Sequence, residues 1–511
     1  MMQMPSIDYF ALLPVLLIFG FGVVGTLIEA FVAPRYRRVT QIWVSFAALG
    51  SALAATIGVA VSGRLGVTAG GTVSIDGPTL FLWGAILVAA FLASLLAAER
   101  HVDPSGDAFV GRASTLPGGE EERKVTTLGL LQTEIWPLML FSITGMMLFV
   151  SASNMLMLFV ALEVMSLPLY LLVGLARRRR LLSQEASLKY FILGSLASAL
   201  LLFGIALLFA YSGSLDFAEI SISITTQLQT SGLLLVSVVL IAVGMLFKVG
   251  AVPFQQWIPD VYQGSPTPIT ALMAGAVKVA AFGALLRVFY VALGGLRWEW
   301  RPIIWLVAIL TMVIGSLLAL TQNDVKRMLA YSAVANTGFL LVGFAGADQT
   351  SVSSMLFYLA TYAVATVAAF GLLSLVRGPG GEAAEISAWA GLGRKEPLLA
   401  VAFGVLLLTF AGVPFTSGFV AKFAVFTAGA EGGALLLVLI GALASVIAAV
   451  FYIRLIVVMF FTEPPREAPV VAIPSAFTAV AIAIGVAASV LLGVIPQPML
   501  ELAQQASVFI R

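Results

Sequence analysis

The chain has 511 residues, of which 60% are apolar and 10% charged, and its mean hydropathy is +1.06. A soluble domain runs near half apolar and a quarter charged, so this composition excludes an ordinary soluble fold and points to a polytopic membrane protein. With no cysteine and a single histidine, His101, the chain excludes disulfides, thiolate metal sites, cysteine-ligated clusters and multi-histidine metal centres, and a net charge of +2 makes no case for nucleic acid.

Crossing a bilayer takes about 20 mostly apolar residues per helix. Such runs recur almost end to end, which predicts an all-α protein of about 14 transmembrane helices. The spans are expected near 9–32, 41–61, 79–98, 132–151, 154–175, 187–211, 232–260, 267–294, 302–320, 326–345, 353–376, 397–429, 434–461 and 471–495. The N-terminus, MMQMPSIDYF, has no basic region ahead of its apolar run, so span 1 reads as a retained helix rather than a signal peptide. After span 3 comes the longest polar segment, 99–130, whose DPSGD and PGGEEERK stretches predict a flexible loop. No soluble domain is inserted, and the tail PQPMLELAQQASVFIR is too short to be one.

Basic residues set the expected topology. Loops after odd-numbered spans hold Arg35, Arg37 and Arg38, then Arg100, Arg112, Arg123 and Lys124, then Arg177 to Arg180. Further along come Lys326 and Arg327, then Arg377, Arg394 and Lys395, then Arg466. Loops after even spans and the C-terminus hold only Arg64, Arg297, Arg301 and Arg511. The positive-inside bias therefore predicts cytoplasmic odd loops and both termini on the outer, periplasmic side.

An internal repeat runs through the middle of the chain. GAVPF at 250–254 recurs as AGVPF at 411–415, YLLVG at 170–174 as FLLVG at 339–343, and LKYFILG at 188–194 aligns with LFYLATY at 356–362. The matches are collinear at nearly constant spacing and pair spans 4–8 with spans 9–13. A five-helix unit is odd, so its second copy must be inverted, a pattern common among ion-coupled transporters. The expected organisation is a three-helix segment with its loop (1–130), a first five-helix unit (131–295), a second inverted unit (296–461), and a last helix with its tail (462–511).

Ionisable groups inside spans are expensive and are functional candidates by default. In chain order they are Glu163 in span 5, Lys189 near the start of span 6, Lys248 in span 7, Lys278 in span 8 and Lys422 in span 12. A lysine near a helix end can instead snorkel to the interface, a serious reading for Lys189. Arg287 and Arg454 lie toward the ends of their spans and read as structural or snorkelling, while Glu29, Glu134 and Glu185 read as solvated. Burial disfavours a lysine's cation and a nearby carboxylate restores it, so lysines whose carboxylate partner comes and goes can load and release protons. Two prolines add to this pattern. Pro253 removes the amide that would bond the Val249 carbonyl, and Pro414 does the same for Phe410. Each break puts polar backbone close to a lysine, Lys248 and Lys422 respectively.

The stretches LEVMSLPLYLLVGL, EASLKYFILGSLASALLLFG, FKVGAVPFQQWIPDVYQGSPTPITALMAGAVKVAAF and SGFVAKFAVF together resemble the subunit N family of the proton-pumping NADH:quinone oxidoreductase, respiratory complex I. The resemblance runs from about Leu12 to Pro496. The related subunits M and L carry a histidine-bearing stretch after the first break, where this chain reads IPDVYQGSP, and subunit L adds a long lateral helix. The second break reads AGVPFTSGF where many relatives have glycine-isoleucine-proline-proline, but Pro414 is kept. The resemblance implies that Glu163 and Lys248 form a modulating ion pair, that Lys278 is the central relay, and that Lys422 is the distal proton site. Lys189 matches an additional lysine of the N type. It also implies a bacterial plasma (inner) membrane location and membrane partners such as subunit M and the small K/J-type subunits. Flavin, iron–sulfur clusters and quinone are then expected in other subunits, with no cofactor in this chain. A subunit of a multi-subunit cation/proton antiporter or of a membrane-bound hydrogenase is the alternative, and a redox-inert scaffold is a third reading.

Overall fold

The computed structural model describes residues 7–103, 106–128, 131–226, 231–378, 380–465 and 469–510. Arg466 and Arg511, counted above in the charge bias, lie outside the described residues. The chain begins with α1 (Tyr9–Phe31) and α2 (Pro34–Ser62), and the hairpin β1 (Gly66–Thr68) and β2 (Val73–Ile75) leads to α3 (Gly77–Ala97). Next come α4 (Glu120–Thr127), α5 (Ile135–Ser151), α6 (Met155–Val173), α7 (Arg180–Ser212), α8 (Phe217–Thr226), α9 (Gly232–Val249) and α10 (Trp257–Gly264). α11 (Thr267–Leu272) and α12 (Lys278–Arg287) belong to one helix, Thr267–Ala292, with π turns at Met273–Val277 and Val288–Ala292. α13 (Arg297–Leu320), α14 (Val325–Phe344) and α15 (Gln349–Leu375) follow. A small antiparallel sheet then joins β3 (Val376–Gly378) to β4 (Gly381–Glu382) and to β5 (Val470–Val471). The remaining helices are α16 (Leu392–Lys395), α17 (Pro397–Ala411), α18 (Ser417–Glu431), α19 (Leu435–Phe461), α20 (Ala476–Val494) and α21 (Gln497–Gln505).

Among the described residues, eleven helices are long and apolar enough to cross a membrane, fewer than the fourteen expected. The other three expected spans are short, more polar or broken. Span 4 is the 17-residue α5, span 10 is α14 with Lys326 and Arg327 in its first turn, and span 12 is divided into α17 and α18. Six helix starts carry a side-chain cap. Asp8, Asp76, Asn154, Ser231, Asp324 and Asp348 each accept an amide of the first turn of α1, α3, α6, α9, α14 and α15, satisfying donors that lipid could not.

Burial sorts the helices into centre and rim. Thr267–Ala292 is wholly enclosed and α15 nearly so, whereas in α1, α2, α19 and α20 fewer than half of the residues are buried. Helices that are apolar on every side can take either place, because lipid is as compatible with leucine as the protein interior is. The helix carrying Lys278 is therefore the axis of the fold.

The polar segment 99–130 departs from its expectation. The flexible loop is instead fastened to the start of α7 by Arg177–Asp107, Arg178–Asp103 and Arg180–Glu122 pairs, each at 3.0 Å, and Arg377 reaches Asp103 at 2.5 Å. Backbone bonds from Val110 to Leu175 and from Arg177 to Ala108 add a strand-like contact. The run Arg177 to Arg180, read above only as a topology signal, is also the anchor for this segment's acids.

Candidate functional site

α9 ends at Val249 because Gly250 adopts the left-handed conformation (φ 79°, ψ 40°) and its amide turns back to Leu246 and Phe247. Lys248 is thus in the last turn of the helix, buried. Its Nζ donates to Ser166 Oγ on α6 at 2.8 Å and to Tyr190 OH on α7 at 3.1 Å. Tyr190 is itself fixed by stacking on Trp257 just past the break (4.8 Å between ring centroids), and Trp257 donates its indole N–H to the Phe247 carbonyl at 3.0 Å.

The carbonyl of Val249, left without a helical partner where Gly250 ends α9, accepts from Thr337 Oγ1 on α14 at 3.0 Å. That same hydroxyl accepts from Lys278 Nζ at 2.8 Å, and Lys278 also donates to the Ala333 carbonyl at 2.5 Å. One threonine therefore joins the first break to the central lysine. Lys278 directly follows the Met273–Val277 π turn, a distortion frequent at functional sites, and stands 5.6 Å from the Tyr362 ring centroid.

The second break repeats the device over a shorter gap. Gly412 (φ 81°, ψ 44°) ends α17, and its amide turns back to Leu408 and Thr409. The capping glycine lies three residues before Pro253 but two before Pro414, so the two motifs align with a one-residue slip and the second gap, 412–416, is shorter than 250–256. Lys422 Nζ donates to the carbonyls of Phe410 (2.9 Å) and Ala411 (3.0 Å) and to Ser445 Oγ on α19 (3.0 Å). These three acceptors match the three donors of an ammonium, and the Phe339 ring lies 4.5 Å away.

Glu163 and Lys248 are not brought into direct contact. Glu163 is half-buried on α6 with Oε1 lacking a hydrogen-bond partner among the described residues, and Ser166, one turn further along the same face, stands on Lys248 instead. Among the described residues, none of Lys248, Lys278 and Lys422 forms an ion pair. Lys189 is different: it is partly exposed and pairs with Glu185 at 2.7 Å and Asp260 at 2.8 Å, while Asp260 also takes Arg327 at 2.7 Å.

Of the remaining charges, Arg287 takes the structural rather than the snorkelling role, and Glu29 departs from its solvated expectation. Arg287 does not snorkel: it is buried against Asp76 at 2.6 Å and donates to the Val150 carbonyl at 2.8 Å. Glu29 is held by Gln41 (2.6 Å) and Thr133 (2.8 Å) rather than left in solvent, although Glu134 and Glu185 are exposed. Arg454 is exposed and donates to the carbonyls of Leu320 and Gln322, fastening the end of α13.

Residues 152–448 match the family model described as NADH:quinone oxidoreductase/Mrp antiporter, TM. The chain is 54% identical to NADH-quinone oxidoreductase subunit N of a Parafrankia species, covering 98% of this chain and 95% of that one. It is 52% identical to NADH-quinone oxidoreductase subunit N 3 of Streptomyces griseus, covering 99% and 95%. Its fold superposes with a TM-score of 0.77 on a chain of respiratory complex I from Thermus thermophilus, at 30% identity over 96% of this chain and 98% of the other. The chain belongs to the subunit N family of NADH-quinone oxidoreductases.

For a subunit N chain, the residues that sequence reasoning missed are mostly hydroxyls. Ser166, Tyr190, Thr337 and Ser445 each accept a bond from a buried lysine. Serine and threonine are common in membrane helices, so composition gives no signal for them. Spacing does so only for Ser166, three residues after Glu163. Asp260 and Asp76 were detectable as acids beside an apolar run. Among the described residues, no group of three or more His, Cys, Asp or Glu side chains converges to hold a metal.

Proposed function

We propose that this subunit N chain carries protons across the bacterial plasma membrane as part of the membrane arm of NADH:quinone oxidoreductase, with Glu163 and Lys248 as the switch, Lys278 as the central relay and Lys422 as the distal site. Lys189 contributes at the side where its ion pairs lie, and Pro253 and Pro414 make the two breaks. The observation that carries this reading is the Lys278–Thr337–Val249 chain, which ties the central lysine to the carbonyl freed by the first break.

Charge arriving at Glu163 from neighbouring membrane subunits, such as an M-type or a small K/J-type subunit, attracts the Lys248 ammonium away from Ser166 and Tyr190. The field at Thr337 and Lys278 changes, and Lys278 hands its proton toward Lys422. Lys248 and Lys422 stand beside the repeat-related breaks of five-helix units 131–295 and 296–461, flanked by segments 1–130 and 462–511. Both termini face the periplasm. Flavin, iron–sulfur clusters and quinone belong to other subunits, and redox energy reaches this chain only as shifted charge.

The test is Lys248→Ala and Lys278→Ala in the assembled oxidoreductase, with protons pumped per NADH as the readout. The expected outcome is a large loss in each. Wild-type pumping in both variants would overturn the relay.

A further inference from the structure

Besides its relay lysines, the chain buries a fourth lysine that the relay does not use. Lys326, in the first turn of α14, is buried and donates to the Ser265 carbonyl at 2.9 Å and to Thr267 Oγ1 at 2.8 Å, and pairs with Glu382 at 3.3 Å. Thr267 in turn donates to the other Glu382 oxygen. Thr267 is the first residue of the enclosed helix that carries Lys278, about 16 Å further along by helical rise. Inward of it stand Ser265 and Thr270, whose hydroxyls are 2.6 Å apart.

Two cavities meet at this pair. A cleft of about 1810 Å³ opens on the arginine-rich face, and an inner chamber of about 80 Å³, room for a few waters, lies behind it. Glu382 lines both cavities, whereas Lys326 and Thr267 line only the inner one. The carboxylate therefore stands at the junction between solvent and a buried amine.

We propose that Glu382 and Lys326 form the proton intake of this subunit on its arginine-rich, cytoplasmic face, feeding the Lys278 relay. This rests on the relay reading above. Lys326 releases a proton inward, toward the Thr270 hydroxyl one turn along the enclosed helix, and becomes a neutral amine. Glu382, having lost its cationic partner, takes a proton from hydronium in the cleft and leaves water. It then passes that proton to the amine, which restores carboxylate and ammonium. At rest, burial works against ionisation of Glu382, but Lys326, Thr267 and Arg377 outweigh it and hold the carboxyl below the usual carboxylate range. Glu382 thus becomes a proton acceptor only after Lys326 has discharged. The other charges around the pair are already committed: Arg377 and Arg178 to Asp103, Arg179 to the Glu382 carbonyl and Asp324 to the Gln263 amide and its helix cap.

The experiment uses the assembled oxidoreductase in inside-out vesicles, with the gradient collapsed by an ionophore so that NADH oxidation alone is read. Glu382→Gln is expected to slow turnover several-fold, with the deficit growing as the pH of the medium rises, and Glu382→Asp to restore most of the rate. Added formate, small enough to enter the cleft and deliver a proton, is expected to speed Glu382→Gly but not Lys278→Ala. Wild-type turnover and pH profile in Glu382→Gln would overturn the intake, and so would a loss unaffected by pH, by formate and by aspartate. A normal Lys278→Ala enzyme beside an impaired, formate-responsive Glu382→Gly enzyme would instead retain the intake and overturn the relay it feeds.

Discussion

Lys422 Nζ donates to the Phe410 carbonyl at 2.9 Å, and that carbonyl is free because Gly412 turns the chain out of α17 two residues on. Helix break and buried amine are one unit here. At the first break the freed carbonyl, on Val249, goes to Thr337 and only through it to a lysine, Lys278. Freed backbone at membrane depth must be satisfied by protein, and this chain uses that requirement twice to seat an amine beside a break.

Substituting Lys422 by methionine keeps the unbranched stem up to the position of Cε and removes all three bonds of the amine. Proton transfer through a positioned group is worth about a hundredfold or more, so pumping per NADH is expected to drop sharply in Lys422→Met. Pro414→Ala leaves the Gly412 cap that ends α17 in place and is expected to give a smaller loss in the same direction. Proton uptake and NADH oxidation measured together in vesicles check both. Unchanged pumping in Lys422→Met would remove the residue from the path.

How much of this was legible in sequence divides by chemistry. The spans could be placed because apolar runs of bilayer length tolerate few other readings, and the buried lysines stood out because a charge in such a run is rare. The breaks were legible because proline has one backbone meaning. The partners were not: Ser166, Tyr190 and Thr337 come from three helices, and no periodicity reports which hydroxyl meets which amine. The 99–130 segment was misread for a related reason. Its acids look solvated in isolation, and only the fold brings Asp103, Asp107 and Glu122 to the arginines that start α7. The one-residue slip between the breaks was hidden because GAVPF and AGVPF contain the same residues in a different order.

Arg287 and Asp76 form a fully buried ion pair, with Asp76 also capping α3 through Thr79 and accepting the Ile510 amide at 3.1 Å. Removing one partner of such a pair strands the other charge, at a cost of about 3–5 kcal/mol. Arg287→Met is therefore expected to reduce assembly and thermal stability strongly, and Arg287→Met combined with Asp76→Asn to recover much of that loss. Thermal unfolding of the detergent-extracted complex distinguishes the single from the double variant. Equal loss in both would mean that the arginine's packing, not its charge, holds this end of the helix.

Glu99, just past α3, accepts from Ser475 through its amide (2.8 Å) and hydroxyl (2.7 Å) at the start of α20. Burial works against its ionisation, but the His101 amide, the Thr478 and Ser475 hydroxyls and the Ser475 amide hold its carboxyl down to about 2. A carboxyl depressed in the folded state contributes stability that is fully present above its ordinary value of about 4.5 and is lost as pH falls through about 2. Glu99→Gln is thus expected to be less stable than the parent at neutral pH, with the gap closing as pH falls below about 4.5. Melting curves across that window check the sign, and a gap that widens on acidification would contradict it.

Lys248 depends on two hydroxyls, and that dependence separates a switch from a fixed scaffold. Each of Ser166→Ala and Tyr190→Phe removes one acceptor, worth about 1 kcal/mol, and leaves the other at 2.8 or 3.1 Å to hold the amine. Either single variant is expected to pump nearly normally. In the double variant the seat opposite Glu163 is gone, so the ammonium stays with the carboxylate and the exchange between two positions stops. Coupled turnover is then expected to fall by more than the sum of the single effects, the mark of residues that act as a unit. Adding Glu163→Gln to the double variant should change little further, because the position it removes no longer alternates with another. A double variant as active as the parent would show that Lys248 works without this seat, and strictly additive losses would reduce the two hydroxyls to ordinary packing contacts.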